Sequence, residues 1–433
     1  MSTTGWHVAR QALSTLLVRQ TLEHAAQHVP FYREQGWDPS RFERLSDLAR
    51  MVPVTEKAHI TVAPHSFLSD ADAADSFHCT SGTTGRRLTV YGNSAEADAL
   101  AALLRLRSGS GSDAPEVALR LFPNTLRLFA PPARVGSGAY NLIVNFSLTQ
   151  THHQWFDNTD HLIEVLGQEY LLGSKARRIS LVHATPPYLI DFITRQCLAR
   201  GVDLRRFAVH SVALTGGFAS TRLRRMVQRY WNAAIVSAYS CTEIRGEAPE
   251  IAGQPGVYLP GPTMHAEIVD RDTGEAVADG ECGEVLLSSL APFQVVMPLL
   301  RYRTGDMAQR VGLPGHPGSA PFALHVLGRC AHGVAIGSRG FVGTRDVIEA
   351  VSEMEEVPQF PYPRHRIVRD GASVRVDIEC TDLPWRKRGP FARRIAQRVR
   401  RAIAARATSP PRVVAEPVVK GELSGFARLY PER

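Results

Sequence analysis

Lysine is scarce in this chain of 433 residues. The four lysines are Lys57, Lys175, Lys387 and Lys420, whereas lysine and arginine together number 50. Any ammonium group that takes part in catalysis must therefore come from one of these four positions. The scarcity does not extend to positive charge, because the formal net charge at pH 7 is +8 and is carried mainly by guanidinium groups.

Cysteines and long apolar stretches are also few. The six cysteines lie far apart and form no C-x-x-C pair, which argues against a disulfide framework and against a thiolate zinc site. No stretch approaches the roughly 18 apolar residues of a membrane span, and Arg10 and Arg19 interrupt the apolar run near the N-terminus. With 44% apolar and 21% charged residues, the composition predicts a globular protein of two or three domains in the cytoplasm.

The positive charge is concentrated near the C-terminus. Residues 330–433 hold 19 lysines and arginines against 12 acidic residues, which gives +7 of the total +8. Within this part, the run from Arg386 to Arg412 has ten basic residues and no acidic one, a pattern that suits nucleic acid, a membrane surface or a phosphorylated small molecule. Within that run, however, apolar residues recur every four positions, at Phe391, Ile395, Val399 and Ile403. We therefore predict an amphipathic helix with a solvated basic face, and neither a nucleic-acid nor a membrane partner.

The middle of the chain alternates short apolar segments with helix-like stretches. The candidate strands are Ile179–His183, Ser211–Leu214 and Ile235–Tyr239, and the candidate helices are Pro187–Arg200 and Thr221–Trp231. Such alternation is typical of βαβ units and predicts a mostly parallel sheet. The N-terminal residues 6–60 have helical spacing.

The pattern changes at Met264. Strands with tight turns follow, at His265–Asp270 and Glu284–Ser288, and they predict an antiparallel subdomain. Beyond residue 332 we predict a compact α+β segment with strands near His365–Val368, Val374–Glu379 and Val413–Val419. We place the domain boundary at Gly328–His332, which gives domains 1–328 and 329–433.

A loop near residue 80 is rich in hydroxyls and glycines. Thr80–Gly85 reads T-S-G-T-T-G, so its backbone N–H groups can turn inward around an anion while the hydroxyls donate to phosphate oxygens. The loop lacks the G-K-[ST] ending of a P-loop, so it does not indicate a P-loop NTPase.

Three more motifs follow in order. They are Y-S-C-T-E at Tyr239–Glu243, Y-R-T-G-D at Tyr302–Asp306, and Gly328-Arg329. With the T-S-G-T-T-G loop they resemble the adenylate-forming superfamily, which includes acyl-CoA synthetases, peptide-synthetase adenylation domains and luciferases. V-P-F-Y-R at 29–33, P-V-T-E-K at 53–57 and M-P-L-L-R-Y at 297–302 resemble the phenylacetate-CoA ligase branch. The resemblance implies an α/β adenylate-forming fold: a large N-terminal ATP- and substrate-binding domain with a β-subdomain, and a small, mobile α+β C-terminal lid domain.

The resemblance also implies roles for individual residues in binding Mg-ATP. The β- and γ-phosphates would be held by Thr80, Ser81, Gly82, Thr83, Thr84 and Gly85. Tyr239 would pack on adenine beside the Gly216-Gly217 turn. Thr242 would contact the α-phosphate and Glu243 would bind Mg²⁺, a cation that prefers oxygen ligands. Asp306 would accept hydrogen bonds from both ribose hydroxyls, with Arg329 nearby at the hinge.

The chain departs from the family at its C-terminal end. The family's G-K-a-x-R motif carries a catalytic lysine, but the corresponding stretch here, residues 424–428, reads S-G-F-A-R and places Phe426 at the lysine position. Lys420 lies six residues earlier and replaces that lysine only if the loop is reshaped. The acidic pair that commonly follows Gly-Arg at the hinge is also absent, since Cys330-Ala331-His332 stands there.

These features leave three functions open. The first is activation of an aromatic acid as its acyl-AMP, with release of pyrophosphate and transfer to CoA or another nucleophile. The second resembles the ATP-dependent diazotases of secondary metabolism, which activate nitrite and diazotise an aryl amine such as an aminoaryl acid. The third is a nucleotide-binding protein that has lost catalysis. The retained Glu243 and Asp306 argue against the third, and Phe426 argues against an ordinary ligase. The sequence leaves the oligomeric state open.

The resemblance implies a substrate pocket whose walls come from the region before and around the edge of the central sheet. The candidate lining residues are Tyr140, Asn145, Phe146, His152 and His153, with Phe122 and Trp155 nearby. Aromatic side chains suit an aryl ring, and imidazoles can orient a phenol, an amine or a carboxylate.

Overall fold

The structure is a computed structural model of the whole chain. It describes residues 3–79, 88–108, 117–123, 129–130, 146–148, 150–151, 154–155, 159–172, 175–313, 322–359, 363–381, 383–406, 410–419 and 423. Where a residue lies close to the ends of these ranges, only its backbone is described at some positions, including Phe122, Phe146 and Trp155.

Ten α-helices occur in the described ranges. They are α1 (Thr3–His28), α2 (Pro30–Arg33), α3 (Leu48–Met51), α4 (Lys57–Val62), α5 (Ser94–Ser108), α6 (Thr159–Gly167), α7 (Tyr188–Ala199), α8 (Thr221–Trp231), α9 (Thr344–Val351) and α10 (Trp385–Ala404). The predicted helical start of the chain is confirmed for α1 to α4, although short 3-10 turns separate α2 from α3.

The same ranges contain 23 strands. The first twelve are β1 (Ser76–Cys79), β2 (Thr89–Gly92), β3 (Val117–Pro123), β4 (Phe129–Ala130), β5 (Phe146–Leu148), β6 (Gln150–Thr151), β7 (Gln154–Trp155), β8 (Tyr170–Leu172), β9 (Lys175–Arg177), β10 (Ile179–Ala184), β11 (Ser211–Leu214) and β12 (Ala234–Tyr239). The others are β13 (Ala248–Pro249), β14 (Val257–Tyr258), β15 (Met264–Val269), β16 (Cys282–Ser289), β17 (Tyr302–Gly312), β18 (Phe322–Arg329), β19 (Val334–Ile336), β20 (Gly340–Val342), β21 (His365–Asp370), β22 (Ser373–Cys380) and β23 (Arg412–Val419).

The central sheet is mostly parallel, as the alternating pattern predicts. Its strand order is β13-β12-β11-β10-β3-β5, and only the β12–β13 pair is antiparallel. One face packs on α6, α7 and α8, because alternate strand residues such as Val182, Val212 and Leu214 are buried against the apolar faces of these helices. Because these strands are parallel, their carboxyl ends lie along the same edge of the sheet.

A five-stranded antiparallel sheet, in the order β14-β18-β17-β16-β15, follows in the chain. The predicted tight turn between β15 and β16 is confirmed, since Asp270 Oδ1 accepts hydrogen bonds from the N–H groups of Asp272 (3.0 Å) and Thr273 (2.8 Å). This sheet shares one core with the N-terminal helices. At that junction the Leu300 N–H donates to the buried hydroxyl of Tyr32 over 2.8 Å.

The elements β19 to β23, α9 and α10 form what we call the C-terminal lobe. They have a core of their own, drawn from residues between Val342 and Ala415. The predicted amphipathic helix is confirmed as α10, whose Phe391, Ile395 and Val399 are buried in that core. The domain boundary at residue 328 remains a prediction.

The lobe contacts the central sheet through α9. Arg345 donates to the carbonyl oxygens of Pro255 (2.6 Å) and Gly256 (3.2 Å), and its guanidinium lies 4.2 Å from the centre of the Phe218 ring. Glycine is favoured at position 256, because its φ is +75° and the Arg345 guanidinium occupies the place of a Cβ. Glu349 accepts a hydrogen bond from the N–H of Thr221, the first residue of α8, over 3.1 Å. The lobe is thus fastened beside the start of α8.

Among the described residues, no helix has both the length and the apolar character needed to cross a membrane.

Candidate functional site

The first cluster of predicted site residues lies between the two sheets. Tyr239 ends β12, Asp306 lies in β17, and Arg329 ends β18 directly opposite Asp306 in the strand register. The Tyr239 hydroxyl donates to Asp306 Oδ2 over 2.8 Å, and the Arg329 Nε atom lies 3.3 Å from Asp306 Oδ1. Residues from two sheets, distant in sequence, therefore meet at one carboxylate.

Electrostatics fix the protonation states of this cluster. Burial, followed by the charge of Asp306, holds the pKa of Tyr239 well above its ordinary value, so its hydroxyl remains a donor. The Asp306 carboxylate raises the pKa of Arg329, which therefore stays charged. Arg329 is oriented further by donating to the Thr304 carbonyl oxygen over 2.6 Å. A carboxylate has about four acceptor positions, so Asp306 keeps capacity for the hydroxyls of a ligand.

The second cluster centres on Glu243. Its Oε1 atom accepts a hydrogen bond from the Tyr302 hydroxyl over 2.9 Å, and its backbone oxygen accepts one from Gln294 Nε2 over 3.1 Å. Gln294 also accepts from the Arg245 N–H over 2.6 Å, so one buried amide holds both ends of the 243–245 segment. Burial and the Glu243 carboxylate raise the pKa of Tyr302, which keeps its hydroxyl protonated and donating.

These residues fit a magnesium ion of the kind that nucleotides carry. Mg²⁺ commonly takes one or two protein carboxylates and completes its shell with phosphate oxygens and water. Glu243 is only half-buried, and Tyr302 engages one of its two oxygens. In the described part of the chain, no group of three or more His, Cys, Asp and Glu side chains is arranged around a metal position. A single carboxylate next to the exposed Thr242 hydroxyl matches a Mg²⁺ that arrives with phosphates.

Cys241, between these clusters, is not built to act as a nucleophile. It packs against the main hydrophobic core, and burial raises the pKa of its thiol, with the nearby Glu243 charge acting in the same direction. A thiol that stays protonated is neither a good nucleophile nor a good metal ligand.

The Gly216-Gly217 turn lies one residue beyond β11, at the carboxyl edge of the parallel sheet. Gly216 has φ +72°, and a Cβ there would lie 2.8 Å from Thr185 Cγ2, so both its conformation and its surroundings favour glycine. Both glycines are exposed. The turn therefore offers backbone that a planar ligand can approach closely.

A buried ion pair behind Glu243 was missed by sequence reasoning. Arg245 lies 3.1 Å from Glu96, whose other oxygen accepts hydrogen bonds from the N–H groups of Val295 (2.6 Å) and Val296 (2.7 Å). These contacts fix the segment that carries Gln294. No sequence signal identified them, because the partners are about 150 and 200 positions apart and Glu96 shares its helix with a second acidic residue, Asp98.

The other predicted site residues lie outside the described part of the chain. Thr80–Gly85, Tyr140, Asn145, His152, His153, Lys420 and Phe426 lie outside the described residues, and the side chain of Phe146 does as well. The ends of the phosphate-loop segment are described, since Cys79 pairs with Thr89 across β1 and β2.

The chain is similar in sequence to several known ligases. No protein-family model matches it. The phenylacetate-coenzyme A ligase of Escherichia coli (strain K12) is 29% identical over 324 residues, which cover 70% of this chain and 68% of that protein. The ligases of the same name from Pseudomonas putida and Thermus thermophilus are 26% and 24% identical, with 65% of each protein covered.

The fold is shown by the similarity of this structure to solved structures. A 2-hydroxyisobutyryl-CoA ligase in the postadenylation state has a TM-score of 0.67 at 17% identity, covering 96% of this chain and 87% of that one. The chain has the adenylate-forming fold and is similar in sequence to phenylacetate-coenzyme A ligases. ATP-bound MatB from Rhodopseudomonas palustris is more distant, with a TM-score of 0.50 at 14% identity, covering 82% of this chain and 68% of MatB. Sequence similarity spans about two thirds of each ligase compared, so activity and substrate are matters for proposal.

Proposed function

We propose that this protein activates an aromatic carboxylic acid with Mg-ATP. A carboxylate oxygen attacks the α-phosphorus of ATP, the bond from that phosphorus to the pyrophosphate oxygen breaks, and acyl-AMP and pyrophosphate are the products. The proposal rests above all on the meeting of Tyr239, Asp306 and Arg329 at one carboxylate. That arrangement suits a ribose held by its two hydroxyls on an adenylate-forming fold.

The chain's own residues supply position and charge. Asp306 accepts from the ribose hydroxyls, Glu243 and Thr242 face the phosphates, and the Gly216-Gly217 turn lies beside the base. Mg²⁺, when bound at Glu243, neutralises charge on the phosphates. Catalysis of this attack on the α-phosphorus depends mainly on positioning of the reactants and on electrostatic stabilisation of the developing charge.

A second step would transfer the acyl group to CoA. The thiolate of CoA attacks the acyl carbon, the carbon–oxygen bond to phosphate breaks, and AMP leaves. Support comes from the names of the relatives, which are coenzyme A ligases. The sequence at residues 424–428 counts against an ordinary ligase, because the family's lysine position holds Phe426.

That departure favours a second candidate function, the activation of nitrite. A nitrite oxygen would attack the α-phosphorus and release pyrophosphate; an aryl amine would then attack the nitrosyl nitrogen, release AMP and lose water to give a diazonium ion. Nitrite is a small oxyanion that fits the place of a carboxylate. The observation that favours it is Phe426 in place of the lysine.

Pyrophosphate release from Mg-ATP tests both candidates. The additions are a panel of aryl carboxylates with and without CoA, nitrite alone, and nitrite with aminoaryl acids. Release with a carboxylate alone supports the acid-activating enzyme; release only with nitrite supports the second candidate. If no addition causes pyrophosphate release, both candidate functions are contradicted and nucleotide binding without catalysis is left.

The matched variants are Glu243→Gln and Glu275→Gln. Glu275 lies in an exposed turn of the antiparallel sheet and serves as the control. We expect Glu243→Gln to lower release by about two orders of magnitude or more, in line with the loss of an electrostatic group at a reaction centre. Equal rates in the two variants would contradict the role assigned to Glu243.

A further inference from the structure

Three polar side chains that the proposed function does not use converge at the carboxyl edge of the parallel sheet. His183 Nε2 lies 2.8 Å from Thr215 Oγ1 and 3.2 Å from Thr185 Oγ1, and the two hydroxyl oxygens are 2.7 Å apart. We call these residues the His–Thr–Thr cluster. His183 lies in β10, and the threonines directly follow β10 and β11.

The cluster lies where the strand order of the sheet reverses. β5, the next strand of this sheet along the chain, pairs with one side of β3. β10, the strand of this sheet that follows, pairs with the other side of β3. In open α/β sheets, the crevice outside the carboxyl ends of the strands at such a reversal is the usual place for a ligand. Thr185, which is 8% exposed and whose N–H donates to the Leu121 carbonyl oxygen of β3 over 3.0 Å, lies at the carboxyl end of β10 beside this reversal.

An apolar surface adjoins the cluster on the same face. His183, Ala213 and Val236 are register partners across β10, β11 and β12, so their side chains share the face opposite the helix-packed core. Val236 is 52% exposed and Ala213 is half-buried. The face therefore offers a flat apolar area that ends in hydroxyls and an imidazole. Pockets for small organic molecules combine these two parts: apolar walls and a few placed polar groups.

The cluster has hydrogen-bonding capacity left for a ligand. A hydroxyl can form three hydrogen bonds, one as donor and two as acceptor, and each threonine has two contacts inside the cluster. The direction of the hydrogen bonds depends on the imidazole tautomer, because Nε2 donates in one form and accepts in the other. Thr185 and Thr215 can therefore present either a donor or an acceptor. A phenolic hydroxyl or an aromatic amine needs such a partner.

We infer that the His–Thr–Thr cluster binds a hydroxyl or amino substituent of the aromatic acid, while the ring lies over Ala213 and Val236. The inference rests on the proposed function for the identity of the ligand as an aromatic acid. It narrows the substrates to hydroxy- and amino-substituted aryl acids. An unsubstituted ring would cover the cluster without replacing the hydrogen bonds that water gives it, and sites built for a hydroxyl reject analogues that lack one.

Equilibrium binding by titration calorimetry tests this preference directly. The probes are phenylacetate with its 3-hydroxy, 4-hydroxy and 4-amino derivatives, and benzoate with the same substituents. The wild-type protein is compared with Thr215→Val and Thr185→Val, which keep the side-chain shape and remove the hydroxyl. Thr215→Ser retains a hydroxyl at position 215. Thr61→Val, in α4, is the matched control, because it removes a threonine hydroxyl outside the cluster.

We expect at least one substituted acid to bind about tenfold or more tightly than its parent acid, the factor that one well-placed hydrogen bond supplies. Thr215→Val and Thr185→Val should reduce that ratio toward one, whereas Thr215→Ser and Thr61→Val should keep it. A ratio near one in the wild-type protein, or a ratio unchanged in both valine variants, overturns the inference. Absence of binding by every acid overturns it as well.

Pyrophosphate release with the same acids separates this inference from the proposed function. If parent and substituted acids cause pyrophosphate release at equal rates, acid activation is supported, but recognition of the substituent by the His–Thr–Thr cluster is contradicted. Selective binding of substituted acids without any release keeps the inference and contradicts acid activation.

Discussion

At the scale of single residues, each carboxylate of the candidate site is held by a tyrosine hydroxyl. Tyr239 donates to Asp306, and Tyr302 donates to Glu243. Burial keeps both hydroxyls protonated, because it raises the pKa of each phenol. The two donors orient carboxylates that would otherwise rotate, so ligand groups meet them in a prepared position.

Tyr302→Phe tests this positioning at Glu243. The substitution keeps the buried ring and removes only the hydrogen bond to Oε1. A hydrogen bond to a charged group contributes about 1.5–3 kcal/mol, so we expect pyrophosphate release to fall by roughly 10- to 100-fold with little change in fold. Steady-state release assays at saturating ATP measure the effect.

Tyr230→Phe, on α8, is the control for that measurement. Thermal melting should be similar for both variants. A Tyr302→Phe protein as active as the control would show that Glu243 needs no partner.

At the scale of elements, local pattern predicted much of the fold. The bounds of β11 and α8 agree with the sequence prediction, and β10, β12 and α7 differ by one or two residues. These elements have strong periodicity and clear ends. The motif residues Tyr239, Asp306 and Arg329 were also predicted, and the structure brings them together.

Contacts between distant positions were not predicted. Gln294, Glu96 and the His–Thr–Thr cluster depend on how strands and loops meet, and a single sequence carries no direct signal of such pairing. Arg245 illustrates the reason: it is one of many arginines in the sequence, and only the fold reveals its buried partner Glu96.

Helix α8 begins with a side-chain cap whose contribution can be measured. The Ser220 hydroxyl accepts from the Leu223 N–H over 3.3 Å. We expect Ser220→Ala to lower the free energy of unfolding by about 1 kcal/mol, the usual effect of losing such a cap, whereas Ser220→Thr keeps the oxygen and should lose less. Urea denaturation followed by circular dichroism gives both values, and equal losses would contradict a capping role.

Strand β21 begins with a buried histidine that should make stability depend on pH. Burial lowers the pKa of His365 from 6.5 to about 4, while its Nδ1–H donates to the Pro363 carbonyl oxygen over 2.8 Å. As the pH falls below 6.5 the unfolded chain binds the proton first, so stability is lost between pH 6.5 and about 4. From pH 7 to pH 5 this single group removes about 2 kcal/mol.

His365→Asn keeps a donor toward Pro363 and removes the titration. We expect its free energy of unfolding to fall less between pH 7 and pH 5 than that of the wild-type protein, in urea titrations at both pH values. His161→Asn, at a largely exposed position on α6, should behave as the wild type. The same pH dependence in all three proteins would show that His365 does not contribute.

At the scale of the whole molecule, polar side chains in the described ranges fasten the C-terminal lobe to the central sheet. Arg345 reaches Phe218, Pro255 and Gly256 at once, and Glu349 binds the start of α8. Arg225 and Glu353 form a further ion pair across the same junction. In the described residues these contacts with the central sheet are polar. The lobe also contacts the antiparallel sheet, where Phe341 packs against Cys282 and Leu327 and Arg339 lies 3.3 Å from Asp270.

Arg345→Met tests how firmly the lobe is held. The variant loses the guanidinium contacts, so we expect a larger radius of gyration in small-angle scattering and about tenfold faster proteolysis near residues 328–332. Arg369→Met changes an exposed arginine of β21 in the same lobe and should match the wild type. Unchanged scattering and proteolysis in Arg345→Met would show that other contacts hold the lobe.

Phe218, under the Arg345 guanidinium, follows the Gly216-Gly217 turn and is three residues from Thr215. One short segment thus contacts the C-terminal lobe and borders the places proposed for the base and for the acid. We propose that the seated lobe holds this segment in place and retains bound products, and that the products leave when the lobe moves away. We therefore expect a burst of pyrophosphate in the first turnover, followed by slower steady turnover limited by the escape of AMP and the activated acid.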